Sequence, residues 1–304
     1  MTNLAQYPSL DIETRHVVRQ FDRRQNSESA EFLQGEIAQR MLDRLTLIKL
    51  DPKTLLDAGC GPGRRMAALM QRYPNATHVI GQDISSEACL IASKLHGQQG
   101  WRKQLSNLLQ SKQKIEFLNH DLVDTKLLPQ SVDLVWSNLA LHWHPEPHRV
   151  LNEWGRILKP GGLAFFSSYG PGTLLEVREA YLASGIKTQS MPFVDMHDFG
   201  DLLIESGFAD PVMDQETLTL TYKNGFDLLK DISALGGNAA TNRQAGLVTP
   251  RWRDRLVQAL ESKRRDTGLI HLTIEVAYGH AWRSHTLKRG NETRISLDAI
   301  KRSK

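Results

Sequence analysis

The chain has 304 residues, 40% of them hydrophobic and 24% charged, with 38 Lys and Arg against 34 Asp and Glu and two cysteines. This balance excludes intrinsically disordered, collagen-like and disulfide-framework proteins, and two thiols are too few for a four-thiolate zinc site, which favours a reducing compartment. No segment approaches the ~20 apolar residues that span a bilayer, and Met1 to Leu10 lacks the basic and apolar stretches of a secretory leader, so a cytoplasmic protein is expected.

In chain order, Phe32, Leu33, Ile37, Met41, Leu42 and Leu45 recur at three- and four-residue intervals and predict a helix over Ala30 to Leu47. Asp51-Pro52 breaks it, and Thr54 to Asp57 is short and apolar enough for a buried strand. A glycine-rich turn and a helix from Met66 to just before Pro74 follow. His78 to Gly81, Lys114 to Leu118, Val132 to Ser137 and Leu163 to Ser168 read as further strands, with helices over Glu87 to Leu95 and Pro147 to Leu158. Non-alternating apolar strands that alternate with helices predict a parallel sheet covered on both faces. Beyond Tyr169 the rhythm changes to a helix over Asp198 to Ser206, stopped by Gly207, and a long strand over Met213 to Tyr222 with Thr at alternating positions. Helical stretches at Phe226 to Leu235 and Arg251 to Arg265 precede a last strand, Leu272 to Trp282. The two helices read as an excursion between two edge strands, suited to a lid over a substrate site.

The net charge of +4 is concentrated at the end of the chain: Arg283 to Lys304 holds seven Lys and Arg against two acids, and the remainder is nearly neutral. That tail, taken from residue 284, is expected to be solvated and flexible. A second cluster, Arg251, Arg253, Arg255, Lys263, Arg264 and Arg265, reads either as a solvated helix face or as a docking face for an acidic partner. No zinc-finger, RNP or helix-turn-helix pattern occurs, so a nucleic-acid partner is not expected. Neither is a resident metal.

Chemistry is concentrated in Leu55-Leu56-Asp57-Ala58-Gly59-Cys60-Gly61-Pro62-Gly63, a strand running into a turn whose glycines let backbone approach a ligand. The spacing is G-x-G-x-G with an acid two residues earlier, not the G-x-G-x-x-G of dinucleotide binders. Asp83 stands at the end of the second strand, 20 residues after Gly63, where a carboxylate can accept both hydroxyl protons of a ribose. Asp121, in Asn119-His120-Asp121-Leu122, closes the third strand.

In this order, and with Asp133-Leu134-Val135-Trp136-Ser137-Asn138 and Leu158-Lys159-Pro160-Gly161-Gly162, these segments resemble the successive motifs of class I S-adenosyl-L-methionine (AdoMet) methyltransferases. The resemblance implies a Rossmann-like α/β fold: a mostly parallel seven-stranded sheet, helices on both faces, and a small helical lid between the last two strands. It places Asp57, Gly59, Gly61, Gly63, Asp83, Ile84, Asp121, Leu122 and Asn138 at the cofactor, with Asp121 as the acceptor for the adenine amino group. Ser137-Asn138-Leu139 replaces the Asn/Asp-Pro-Pro-aromatic motif of many amino-methylating members, which leaves oxygen, carbon or sulfur acceptors.

Further stretches, Ser137 to Trp143, Tyr169 to Ala180, Pro192 to Asp198, Gly207 to Asp214 and Tyr278 to Trp282, resemble the malonyl-acyl-carrier-protein O-methyltransferases of biotin synthesis, the BioC type. That family implies malonyl-acyl-carrier protein or malonyl-CoA as acceptor partner, and methylation of its free carboxyl. Phe21-Asp22-Arg23 departs from the family by lacking the Tyr-Asp pair that usually follows. A sister group, complex I assembly factors of arginine-hydroxylase type, shares the Phe-Asp-Arg start and a Leu-His-Trp segment, and a non-catalytic AdoMet-binding scaffold is a third reading. The hydroxylase reading lacks a visible facial-triad pattern.

His142 and Trp143, after the fourth strand, are the candidate walls of the transfer site. Arg178 is the candidate clamp for the acceptor carboxylate. The expected organisation is residues 1–50 as an N-terminal helical segment, 51–170 as the AdoMet-binding core, 171–283 as the rest of the sheet with its lid, and 284–304 as the basic tail.

Overall fold

A computed structural model describes residues 9–23, 28–96, 113–243 and 249–285; nearly all of the basic tail therefore lies outside the described residues. The N-terminal segment carries two helices, α1 (Thr14–Arg23) and α2 (Glu28–Leu45), where the periodicity predicts one. The core follows as β1 (Thr54–Ala58), α3 (Met66–Arg72), β2 (His78–Asp83), α4 (Ser86–His96), β3 (Lys114–Asn119), β4 (Val132–Asn138), α5 (Pro147–Ile157) and β5 (Leu158–Tyr169). The remainder is α6 (Leu175–Ala183), α7 (Met196–Glu205), β6 (Phe208–Tyr222), α8 (Gly225–Ala234), α9 (Pro250–Glu261) and β7 (Ile270–Arg283).

The seven strands form one sheet in the order β3-β2-β1-β4-β5-β7-β6. All pairs among β1 to β5 are parallel, and β7 runs antiparallel to both β5 and β6. The expected pair of edge strands is thus corrected: β7 is inserted between β5 and β6, and of these last two strands only β6 is an edge. Its alternation of exposed Asp and Thr with more buried residues is what a one-sided edge strand requires. Chain direction along the sheet reverses between β1 and β4, which opens a crevice at their C-terminal ends, the ligand position of open α/β sheets.

Alternation along β4 and β5 divides the core between the two faces. Trp136 and Phe165 join Leu33, Ile37, Met41 and Leu45 of α2 on one side. Val135 and Phe166 join Trp154 of α5 and Phe199 of α7 on the other. The four α2 residues recur every four positions and are at most 2% exposed, so burial as well as propensity holds this helix against the sheet.

Two predicted boundaries move for local reasons. Lys159 to Gly162 belongs to β5, not to a turn before it, because Leu158 already pairs with Val132 and the register shifts before Leu134. α9 stops at Glu261, so Lys263, Arg264 and Arg265 lie beyond the helix. The Arg264 guanidinium donates to Glu261 and to the carbonyls of Gly268 and Lys223, closing the turn into β7. Lys263 is paired with Glu179. Two of the three cations in this run are therefore engaged within the chain, which weakens the docking-face reading at its C-terminal end.

One carboxylate ties the start of three strands together. Asp133 Oδ2 accepts from the amides of Lys53 and Thr54 at 3.0 and 2.8 Å, and Oδ1 faces Lys159 Nζ at 2.8 Å. Replacing it by Ala leaves two amides without this acceptor. Asp133→Ala is expected to lower stability by about 1.5–3 kcal/mol, the range for hydrogen bonds to charged groups, measured as a lower urea midpoint with unchanged slope.

Candidate active site

At the switch point the turn after β1 carries three positive backbone φ angles, at Gly59, Gly61 and Gly63. Gly59 has φ +79°, and a Cβ there would meet the Ala140 methyl at 2.1 Å. Gly61 has φ +52° and faces open space, with nothing within 4 Å of an added Cβ. Its amide donates at 2.8 Å to Asp83 Oδ2, while Asp83 Oδ1 accepts from the Ser85 amide at 2.8 Å. The loop is thereby pinned to the end of β2, and each Asp83 oxygen keeps acceptor capacity for a ligand hydroxyl.

This turn borders a cavity of about 160 Å³. Eight of the nine expected cofactor residues line it: Asp57, Gly59, Gly61, Asp83, Ile84, Asp121, Leu122 and Asn138. Gly63 does not. Its Cβ position lies 2.9 Å from Ala92 and 3.2 Å from His96, so its smallness lets the loop pack on α4.

The cavity concentrates buried negative charge. Asp57 is 3% exposed, and burial together with the neighbouring Asp83 charge raises its pKa to about 7, against the opposing pull of Arg65. Burial raises Asp83 as well, opposed by the Ser85 and Gly61 amides, with Asp22 adding to the rise. Asp121 is the opposite case: burial pushes its pKa up, but hydrogen bonds from His144 and the Val123 amide outweigh this and hold it low. The Glu146 amide donates to His144 Nδ1 at 2.9 Å, which fixes the proton on Nε2, 3.2 Å from Asp121 Oδ1. The loop bearing Asp121 is clamped in turn by Thr125, whose amide and hydroxyl both donate to Glu153, itself bridged to Arg156.

Sequence reasoning missed part of the wall. Thr14, Val17, Gln20 and Phe21 of α1 line the cavity, as do Glu31 and Gln34 of α2 and Arg64 and Arg65 after the turn. Both arginines pair with Glu31. Asn138 donates to the Gln34 carbonyl at 3.0 Å and accepts from the Ser167 hydroxyl at 2.9 Å, so it couples β4, β5 and α2 at the rim. The segment before α1 is fastened across the cavity by Ile12 pairing with Ala240, and Glu13 pairs with Arg243 at 2.7 Å. The signal for α1 was present in the spacing of Val17 and Phe21, one helical turn apart.

The expected acceptor-side residues separate. Trp143 lines the cofactor cavity and a second, smaller chamber of about 50 Å³, and so stands between the two. Its ring lies edge-on to Phe21 at 5.1 Å, and a Cβ on Gly236 would meet it at 2.4 Å. His142 lines neither cavity; it is 2% exposed, tilted against Tyr169 with ring centroids 4.5 Å apart, and burial lowers its pKa to about 3. It sits against the Trp143 and Tyr169 rings. Arg178 stands apart from both. It lies on α6 at an outer groove, donating to the Pro171 carbonyl at 2.5 Å, and touches neither inner cavity. The lid expected between the last strands is only partly one: Ala234 and Gly236, at the end of α8, reach the cofactor cavity, whereas α9 packs on α6.

The fold and this switch-point cradle define a class I methyltransferase. A family model described as a methyltransferase domain matches residues 56–166, and the fold matches a Bacillus halodurans structure assigned as a methyltransferase, at TM-score 0.54 and 16% identity over 80% of this chain and 98% of that one. A malonyl-[acyl-carrier protein] O-methyltransferase of Methylovorus sp. is 38% identical over 90% of both chains. Another, from Gallionella capsiferriformans, is 40% identical over 84% of this chain and 86% of its own. The chain belongs to the malonyl-[acyl-carrier protein] O-methyltransferase family. Its cofactor is S-adenosyl-L-methionine, and the residues present fit it: uncompensated buried acid for a cationic ligand, a free-facing Gly61, and Asp83 and Asp121 with acceptor atoms at the rim.

Two outcomes follow. Gly61→Arg fills the open face of the cradle and is expected to abolish the calorimetric heat of AdoMet binding while the far-UV spectrum stays native. Asp57 has the second effect. Its folded pKa of about 7 lies above the unfolded value near 4, so the folded state holds the extra proton between these limits. The Asp57 contribution to ligand-free stability is therefore present below pH 4 and falls by about 1.4 kcal/mol per pH unit towards pH 7. Asp57→Asn is expected to remove that slope in melts across pH 4.5–7.

Proposed function

We propose that the protein methylates the free carboxyl of malonyl-[acyl-carrier protein], forming its methyl ester and so acting as a carboxyl O-methyltransferase in biotin synthesis in the cytoplasm. The observation that carries the reading is the near full-length likeness to relatives bearing that name. These relatives do not favour the respiratory assembly-factor alternative.

Bound in the cradle, AdoMet supplies an electrophilic methyl on a cationic sulfur. The protein need not move a proton for the acceptor, because a carboxyl with a reference pKa near 4 is already ionised. What the residues contribute is position and exclusion of water. The chamber beyond Trp143 is lined by Tyr169, Thr173, Val177 and Phe193, and by no lysine or arginine. Burial raises the Tyr169 phenol well above its ordinary value, so it stays protonated and can donate to an entering carboxylate. A neutral donor orients the anion without quenching its nucleophilicity as a bidentate guanidinium would. His142, neutral at working pH, packs at a tilt against both rings and holds them in place.

The decisive test is intact-mass spectrometry. Malonyl-acyl-carrier protein incubated with enzyme and AdoMet is expected to gain one methyl, and the acetyl form none; no gain on the malonyl form rejects the substrate. Tyr169→Phe is expected to lower kcat about tenfold, a loss of about 1.4 kcal/mol of transition-state stabilisation, without altering AdoMet affinity, because Tyr169 does not border the cofactor cavity.

A further inference from the structure

Arg178 is unexplained by the site described above, yet its surroundings are specific. Both carboxylates beside it on α6 are engaged elsewhere. Glu176 accepts from the Thr273 amide at 2.9 Å and from the Thr273 hydroxyl at 2.6 Å, and Glu179 pairs with Lys263. Among the described residues no carboxylate pairs with Arg178, and its one recorded hydrogen bond, to the Pro171 carbonyl, uses one of five N–H donors. The guanidinium is held in place and retains donors for an anion.

It stands at an open groove of about 450 Å³ between α6 and the segment 186–193. The groove leads inward. Tyr181, Ser190, Met191 and Phe193 line both it and the chamber, and Trp143 lines both the chamber and the cofactor cavity. Shared walls therefore connect the surface at Arg178 to the cradle through the chamber. Its lining mixes apolar surface, from Tyr181, Leu182 and Phe193, with polar groups, from Thr188, Gln189 and Ser190. An extended chain of methylenes interrupted by amides matches such a passage, and a phosphate at its outer end matches an unpaired arginine.

We propose that this groove admits the phosphopantetheine arm of the acyl-carrier substrate, with Arg178 binding the arm's phosphate at the mouth. The malonyl end then reaches the chamber, and the carrier protein stays outside, over α6. The assignment rests on the methylation reading for the identity of the arm. It makes Arg178 a determinant of phosphopantetheine-linked acyl groups over malonyl compounds that lack the phosphate, at the opposite end of the substrate from the carboxylate.

The test separates the two claims. With the AdoMet-loaded enzyme, calorimetry compares 4′-phosphopantetheine with pantetheine, which lacks the phosphate. The native protein is expected to bind the phosphorylated form about tenfold more tightly, with the gap narrowing as salt rises. Arg178→Gln is expected to bring the ratio near one, and Arg178→Lys to restore part of it. Equal binding of the two compounds by native protein, or a preference that survives in Arg178→Gln, overturns the assignment. Ser190→Trp, placed where groove and chamber meet, is expected to stop methylation of malonyl-acyl-carrier protein while AdoMet binding persists; undiminished turnover overturns the path. A native enzyme that discriminates by phosphate but leaves malonyl-acyl-carrier protein unmethylated refutes the methylation reading alone.

Discussion

Two carboxylates brought close together out of water are the constraint around which this molecule is organised. Asp57 and Asp83 end adjacent parallel strands, and the register that pairs Asp57 with Gly81 sets them on the same rim. Isolated in a buried position, such a pair resists ionisation and costs stability. The fold offsets this with the Gly61 and Ser85 amides on Asp83 and with Arg65 near Asp57. A cationic ligand completes the compensation, so affinity and specificity for charge come from strain the ligand-free protein already carries.

That arrangement explains why the N-terminal segment matters. α1 has a single fully buried residue, Val17, and little reason to be ordered by itself. It is held by what it crosses: the Ser85 hydroxyl donates to Asp22 at 2.6 Å, and Glu13 pairs with Arg243. The roof of the cofactor cavity is thus assembled from the two ends of the fold, α1 and the loop after α8, meeting over Trp143. Closure by contacts of this kind, partly exposed and few, can be undone and remade at low cost, as ligand exchange demands.

The strands, their order of appearance and the acids at their ends were legible in the sequence because each depends on local pattern. A run such as Thr54 to Asp57 can be little else before a glycine turn, and an acid at the end of β2 is fixed by chain length. Eight of the nine residues expected at the cofactor line one cavity. Gly63 packs under α4 instead, and a glycine in a ligand-binding turn and a glycine under a packed helix leave the same letter. The insertion of β7 between β5 and β6 was not legible, since strand order at a sheet's end is decided by tertiary pairing over many residues. α1 escaped because its burial is supplied by partners distant in sequence, from Ser85 and Trp143 to Ala239 and Arg243.

The acceptor side shows a different limit. Proximity to the fifth strand made Arg178 a reasonable carboxylate clamp by position. That reading assumes that a helix charge answers to what is near in sequence. The structure sends Glu176 to β7 and Glu179 to Lys263, and so leaves the cation uncommitted at a mouth no local pattern could reveal. Placing positive charge at the mouth and none in the chamber is also the sounder arrangement for this chemistry. An arginine inside would bind the carboxylate firmly in the ground state and be lost as its charge is neutralised on esterification, raising the barrier it was meant to lower. A cation far from the reacting oxygen binds ground and transition states alike, gathers the substrate, and leaves the nucleophile to neutral groups.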